Sequence, residues 1–316
     1  MTWGQAEWLD SAVGWIEEHL AELRLEATGR IEQRFVRPWS ILMVVPTTGG
    51  DLWFKGCIPA LTHEVAVVEI LARRSPHALA ELLAVEREQG WMLQRDGGTQ
   101  LRELLDRPRG FERWEEILPL YAELQLDAAV DADELMRVGA PDRRLTRLPV
   151  AFEELLGRQE GLARDEADRL LALSPRLREL CDELAGIGLP ETIQHDDLHS
   201  ANVLVRDGGY AIVDWGDACV THPFLTLHVT MRVLAYELGL DEGTPEVDRY
   251  RDAYLEPWTR LARRGDLLRA LGPAQPLGAL GRALNWQVVA ESVPPAERAE
   301  YDEDVADRLR LVASSL

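Results

Sequence analysis

The stretch His195-Asp-Asp197-Leu-His199-Ser-Ala-Asn202 concentrates carboxylate, imidazole and amide groups, and another carboxylate, Asp214, follows closely. Between them Asn202 opens the run Val203-Leu-Val205, Asp207-Gly-Gly209 forms a tight turn, and residues 210–213 make a return run. Positions 202 and 214 are equidistant from Gly208, so an antiparallel hairpin sets Asn202 and Asp214 opposite each other, roughly 5 Å apart at Cβ. An amide oxygen facing a carboxylate suits a hard, oxygen-seeking cation such as Mg2+. Asp197 lies five residues before Asn202, in a loop that can turn its carboxylate towards the same cleft. Of the 34 basic residues only Lys55 is a lysine. Arginine cannot replace a compact, rotatable ammonium on a thin stem, which makes Lys55 a candidate for a site that needs one.

The elements that must position these groups follow from the apolar spacing. Residues 5–25 carry apolar positions at helical intervals. Strands are expected at 31–36, 41–45 and 52–57, separated by Arg37-Pro-Trp-Ser40 and by Pro46-Thr-Thr-Gly-Gly-Asp51, so Lys55 lies inside a strand of an antiparallel meander. A helix is expected at 63–73 with Thr62 as its N-cap. A short strand at 91–94 precedes a break at Asp96-Gly-Gly, and 94–97 reads as a hinge. Helices are expected at 99–106, 112–129, 130–137, 147–157 and 163–185, then the hairpin, then helices to the end. The expected fold is α+β, with an antiparallel-sheet N-lobe over 1–95 and a mainly helical C-lobe over 96–316.

An Asp, an Asn beyond it and a second Asp ending a hairpin form the order of a kinase catalytic segment. The sequence resembles the aminoglycoside phosphotransferase family, within the choline-kinase-like group of protein-kinase-fold enzymes. The family signature is similar to His-Gly-Asp-Leu-His-x-x-Asn-Val-Leu followed by Ile-Asp-Trp. This chain reads His195-Asp-Asp197-Leu-His199-Ser-Ala-Asn202-Val-Leu204, then Ile212-Val-Asp214-Trp215. The resemblance spans about residues 30–225 and implies a small-molecule kinase using Mg2+ with ATP or GTP. It implies Asp197 as base or hydroxyl-orienting carboxylate, His195 as a brace for the loop, and Asn202 and Asp214 as the metal ligands. Lys55 would neutralise the α- and β-phosphates, paired with Glu64, with Glu69 the competing partner. Ser40 and nearby backbone N–H groups would cover the phosphates, and Leu93, Gln94 and Arg95 would offer backbone groups to the base. His199, Asp217 and Glu291 are candidates for the acceptor site. Three positions depart from the pattern. Asp196 stands where the family has glycine, the phosphate-covering turn Arg37-Pro-Trp-Ser40 lacks glycine, and Thr221-His-Pro-Phe-Leu-Thr-Leu227 lacks the second carboxylate of its family counterpart.

A formal charge of −21 counts against a nucleic-acid partner. It favours a cationic ligand if the carboxylates cluster at a cleft and otherwise reads as a solvated surface, while the resemblance implies a hydroxylated acceptor. The acidic positions Glu237, Asp241, Glu242, Glu291 and 302–304 fit that acceptor class, which covers aminoglycosides, amino sugars and amino alcohols. No apolar run is long enough for a membrane span, and neither a secretory leader nor paired cysteines are apparent, so a soluble cytoplasmic protein is expected. Two other readings stay open. His195-Asp196 with His199 could form the metal site of a His-Asp phosphohydrolase, which would need a helix there. The chain could also be a nucleotide-binding pseudokinase.

Overall fold

The apolar run after Trp39 becomes the interior of a five-stranded antiparallel sheet. In the computed structural model, which describes Trp3 and residues 6–316, the chain forms two compact units. One comprises residues 1–99 and 204–216, the other 100–203 and 217–316. In the first, helix α1 (Ala6–Glu22) leads into β1 (Glu32–Val36), β2 (Ser40–Thr47) and β3 (Gly50–Cys57). Helix α2 (His63–Arg74), β4 (Leu82–Glu86) and β5 (Trp91–Arg95) follow, and the strand order is β1-β2-β3-β5-β4. Side chains alternate between the faces of a strand. Phe54 therefore meets Trp15 of α1 and Trp91 of β5, each at 5.8 Å between ring centroids. Lys55, its neighbour, points to the opposite face. Ala12, Ile16 and Leu20 form the buried stripe of α1 at four-residue intervals.

The second unit begins with the two-residue β6 (Thr99–Gln100), at the boundary, and the helices α3 (Trp114–Ala128), α4 (Ala132–Arg137), α5 (Leu148–Arg158), α6 (Arg164–Leu171) and α7 (Ser174–Ala185). Strand β7 (Thr192–Gln194) comes next; β8 (Val203–Arg206) and β9 (Gly209–Ile212) form the hairpin, most of which belongs to the first unit. Strand β10 (Cys219–Thr221) and helices α8 (Leu227–Leu238), α9 (Pro245–Leu255), α10 (Arg264–Ser292) and α11 (Arg298–Ser315) complete the second. The 29-residue α10 is its spine, packed against α5, α7, α8 and α11. Among the described residues no helix is long and apolar enough to cross a membrane. All three cysteines are buried and free.

Several elements differ from the sequence reading. Over 99–106 there is no α-helix; β6 gives way to a 3₁₀ turn at Leu101–Leu104, followed by the Pro108 break. The expected helix at 163–185 is two helices, with Pro175, which lacks an N–H, in the first turn of the second, where no intrahelical bond is lost. Strand β4 was absent from the reading because each of its residues is half-buried, leaving no alternation to detect. Thr62 does not cap α2. Its backbone is already helical (φ −60°, ψ −21°), and its hydroxyl donates to the Pro59 carbonyl at 3.2 Å instead.

Candidate active site

In the first unit, strand alternation turns Lys55 away from the aromatic cluster, and Glu64, one residue into α2, meets it. Lys55 Nζ donates to Glu64 Oε1 at 2.6 Å and to Asp214 Oδ1 at 2.5 Å. Both Lys55 and Glu64 are buried, whereas the Asp214 side chain is half-exposed. Burial alone would lower the Lys55 ammonium, but Asp214 and Glu64 outweigh it and hold the group well above its ordinary value. Burial and the Asp214 charge push Glu64 up against the pull of Lys55. Glu64 Oε1 also accepts the Trp215 N–H at 2.8 Å, which ties the end of the hairpin to α2. Glu69 is engaged elsewhere, by Arg87 at 2.7 Å.

The hairpin reaches this position through close backbone contact. Gly98 has φ +109°, and a Cβ there would lie 2.2 Å from the Val205 carbonyl oxygen. Asp214 also adopts a left-handed backbone, φ +67°, a conformation that aspartate tolerates better than most residues and that recurs at functional sites.

The second unit holds the rest of the motif. Antiparallel pairing of Gln194 with Cys219 in β7 and β10 brings the segment after Gln194 beside Asp217. Residues 195–202 form a turn-rich loop rather than a helix, so His195 and His199 are not one helical turn apart. His195 Nδ1 accepts the Asp197 N–H at 3.3 Å, and His199 Nδ1 accepts the Ala201 N–H at 3.2 Å. Both imidazoles therefore brace the loop through Nδ1, which leaves Nε2 to carry the proton when they are neutral. His199 Nε2 lies 3.4 Å from Asp197 Oδ2. Asn202 Nδ2 donates to the Asp197 carbonyl at 2.9 Å, so its side-chain oxygen is the atom available to a cation.

Arg282 of α10 approaches Asp197 Oδ1 to 3.3 Å. Burial would raise the Asp197 carboxyl, but Arg282 and the imidazoles of His199 and His195 hold it well below the usual carboxylate range. Asp217 also binds Arg282, at 2.7 Å.

Asp196 explains its own departure from glycine. Its φ is +61°, the left-handed region that glycine enters freely and aspartate enters tolerably. The side chain is buried, with Oδ1 accepting from Gln194 Nε2 and Oδ2 from Asn285 Nδ2, both at 2.5 Å. Arg143 lies 3.6 Å from Oδ2 and binds Asn285 Oδ1 at 2.5 Å. Burial pushes the Asp196 carboxyl up to about 7 against Arg282 and Arg143. The stretch after Asp217 is supported without its second carboxylate. His222, held neutral by burial with its pKa lowered to about 3, accepts the Phe224 N–H at 3.2 Å, and Thr230 donates to the Leu198 carbonyl at 2.9 Å.

The remaining expected site residues lie in more ordinary surroundings. Ser40 is buried at the start of β2, and its carbonyl accepts the Arg37 N–H at 2.8 Å. Leu93 is buried in β5, between β3 and β4. The Arg95 N–H is given to the Glu81 carbonyl at 2.9 Å and the Asp96 N–H to Asp51 at 3.2 Å, so these sheet donors are already engaged. Gln94 is half-buried on the same strand. Glu291 accepts from Gln287 at 2.9 Å and Arg158 at 3.3 Å. Glu242 faces Arg232 at 3.9 Å, Glu303 pairs with Arg310 at 2.6 Å, Asp304 with Arg308 at 3.3 Å, and Glu237 accepts from Ser200. These acids do not form one uncompensated anionic patch. Sequence reasoning missed Arg143, Gly281, Arg282 and Asn285. The signal that could have found the last three is a lone cation and an amide in the apolar, glycine-bearing run Leu277-Gly-Ala-Leu-Gly-Arg282-Ala-Leu-Asn285.

A five-stranded antiparallel sheet carrying a buried lysine–glutamate pair and a mainly helical unit with an Asp–Asn loop are the parts of a protein-kinase-like fold. The chain belongs to the phosphotransferase enzyme family, whose sequence profile matches residues 58–265. No curated protein matches its sequence. Among solved structures, it is similar to an ethanolamine kinase from Plasmodium vivax, with 15% identity, 99% of this chain and 91% of that chain covered, and a TM-score of 0.65. It is also similar to a macrolide 2'-phosphotransferase from Brachybacterium faecium, with 18% identity, 93% and 97% covered, and a TM-score of 0.57. A third is an aminoglycoside phosphotransferase solved with GDP and kanamycin, at 14% identity, 96% and 99% covered, and a TM-score of 0.60.

Proposed function

We propose that the chain transfers the γ-phosphoryl group of ATP or GTP to a hydroxyl of a small, cationic acceptor. The observation that carries this reading is Lys55, buried and held charged between Glu64 and Asp214. A buried ammonium is costly unless it is paired, and such a group is suited to phosphate oxygens. In the proposed reaction Lys55 steadies the nucleotide phosphates, with Glu64 fixing its position. Asp197 orients the acceptor hydroxyl and takes its proton as the new bond to phosphorus forms. Its low proton affinity suits an orienting role early in the reaction and a proton-accepting role only as the hydroxyl becomes acidic.

Asn202 and Asp214 offer one amide oxygen and one carboxylate, the oxygen donors that Mg2+ prefers, and these are the residues that would hold it. Bound there, the ion would neutralise charge on the transferring phosphate. Among the described residues, no group of three His, Cys, Asp or Glu side chains is arranged to hold a metal, and the His195–His199 loop is not helical, so the phosphohydrolase reading has no support.

A cationic acceptor is favoured by the compounds named for the structural relatives, ethanolamine and kanamycin. Release of ADP or GDP is measured with ATP and GTP against aminoglycosides, amino sugars and amino alcohols. Acceptor-dependent release from one class supports the reading. Nucleotide binding with no release across the whole panel overturns it in favour of a different acceptor or a pseudokinase.

A further inference from the structure

Helix α10 meets the Asp197 loop with glycine, charged and amide positions in succession. A Cβ at Gly281 would lie 3.2 Å from Asp196 Oδ1, so the missing side chain lets the helix run against the loop. The Gly281 carbonyl accepts Arg143 Nη1 at 3.0 Å. Asn285, one turn on, donates to Asp196 Oδ2 at 2.5 Å and to the Asp217 carbonyl at 3.2 Å. Arg282 lies between them. Its Nη1 donates to the Asp196 carbonyl at 3.0 Å and to Asp217 Oδ2 at 2.7 Å, while its Nη2 lies 3.3 Å from Asp197 Oδ1.

We propose that Arg282 is the positioning residue for Asp197, its guanidinium braced by Asp217 and the Asp196 carbonyl so that it fixes the carboxylate that receives the acceptor hydroxyl. The inference rests on the phosphotransfer reading above. The two oxygens of Asp197 have different partners: Oδ1 has Arg282, and Oδ2 has His199 Nε2 at 3.4 Å and Asn202 Nδ2 at 3.5 Å. The Arg282 side chain is 13% exposed and the Asp197 side chain 28%. The guanidinium therefore grips the carboxylate from the protected side and leaves it partly open to a ligand. A planar fork places one nitrogen on each of two carboxylates at once, which the single ammonium of lysine cannot do. The fork couples Asp217, at the start of the segment leading into β10, to Asp197 in the loop after β7.

The test uses the full-length protein with Arg282→Met, Arg282→Lys, Asp197→Asn and the Arg282→Met/Asp197→Asn double variant. Nucleotide turnover is followed with the acceptor found by the panel, or with water as acceptor. Arg282→Met is expected to lower kcat by about 10- to 100-fold, with nucleotide KM within about threefold of wild type, since only the oriented transition state is lost. Arg282→Lys recovers part of kcat. In the Asp197→Asn background, Arg282→Met changes kcat by less than about threefold, because its effect runs through the missing carboxylate. Equal losses in both backgrounds overturn the inference. So does a wild-type kcat in Arg282→Met beside a crippled Asp197→Asn. Should Arg282→Met not fold, a wild-type kcat with lowered thermal stability in Arg282→Lys marks a merely structural role and overturns it too. Wild-type turnover in Asp197→Asn overturns the role given to Asp197 and takes this inference with it, whereas wild-type protein that binds nucleotide but turns over with no acceptor overturns the phosphotransfer reading instead.

Discussion

Replacing Asp196 with asparagine removes a buried charge while keeping the side-chain shape. Burial raises the Asp196 carboxyl from the ordinary 3.8 to about 7 despite Arg282 and Arg143, with Asp217 and Asp197 adding to the rise. The folded value lies above the unfolded one. Between about pH 4 and 7 the folded chain therefore keeps a proton that the unfolded chain has lost, and stability falls as pH rises through that window. About three pH units at ~1.36 kcal/mol each set an upper scale of about 4 kcal/mol lost by pH 8. Asparagine is neutral throughout and tolerates the left-handed φ of +61°. Its amide can also donate to Gln194 Oε1, a buried oxygen without a partner, while its oxygen accepts from Asn285. Asp196→Asn is thus expected to unfold like the wild type at pH 4.5 and to be more stable by about 2–4 kcal/mol at pH 8. Urea unfolding across pH 4.5–8 reads both profiles. Parallel profiles, or a variant weaker than wild type at pH 8, refute the reasoning.

Lys55→Arg keeps the charge but replaces a compact ammonium with a bulky fork between two carboxylates at 2.5 and 2.6 Å; turnover is expected to fall by at least ~100-fold with the fold retained by circular dichroism. Gly98→Ala is expected to destabilise the strand-rich unit by more than about 2 kcal/mol in thermal unfolding, because its Cβ would meet the Val205 carbonyl at 2.2 Å and its backbone would be strained. Thr62→Ala, at a position that makes no cap hydrogen bond, is expected to change unfolding stability by less than about 0.5 kcal/mol, where a working N-cap would cost about 1.

The parts of this protein legible in the sequence are those whose determinants are local. The Asp207-Gly-Gly209 turn fixes the hairpin, the apolar spacing of 41–57 fixes the meander that carries Lys55, and the order His195–Asn202 then Asp214 identifies the family. What stayed hidden depends on distant partners. Arg282 and Asn285 meet Asp196, Asp197 and Asp217 across sequence separations of 65 to 89 residues, which no local pattern encodes. Helix α10 is also buried on most sides over its second half, so it lacks the one-sided apolar stripe that would have turned Arg282 towards a particular neighbour. The role of Asp196 was undecidable from sequence, because its left-handed backbone and its burial on Asn285 are both tertiary facts.

The account stands most directly on the kcat of Asp197→Asn, measured as γ-phosphoryl transfer from labelled nucleotide to the acceptor that gives the fastest wild-type rate. A loss of at least ~100-fold, with nucleotide binding and thermal unfolding unchanged, is the predicted result. Transfer at the wild-type rate would contradict it.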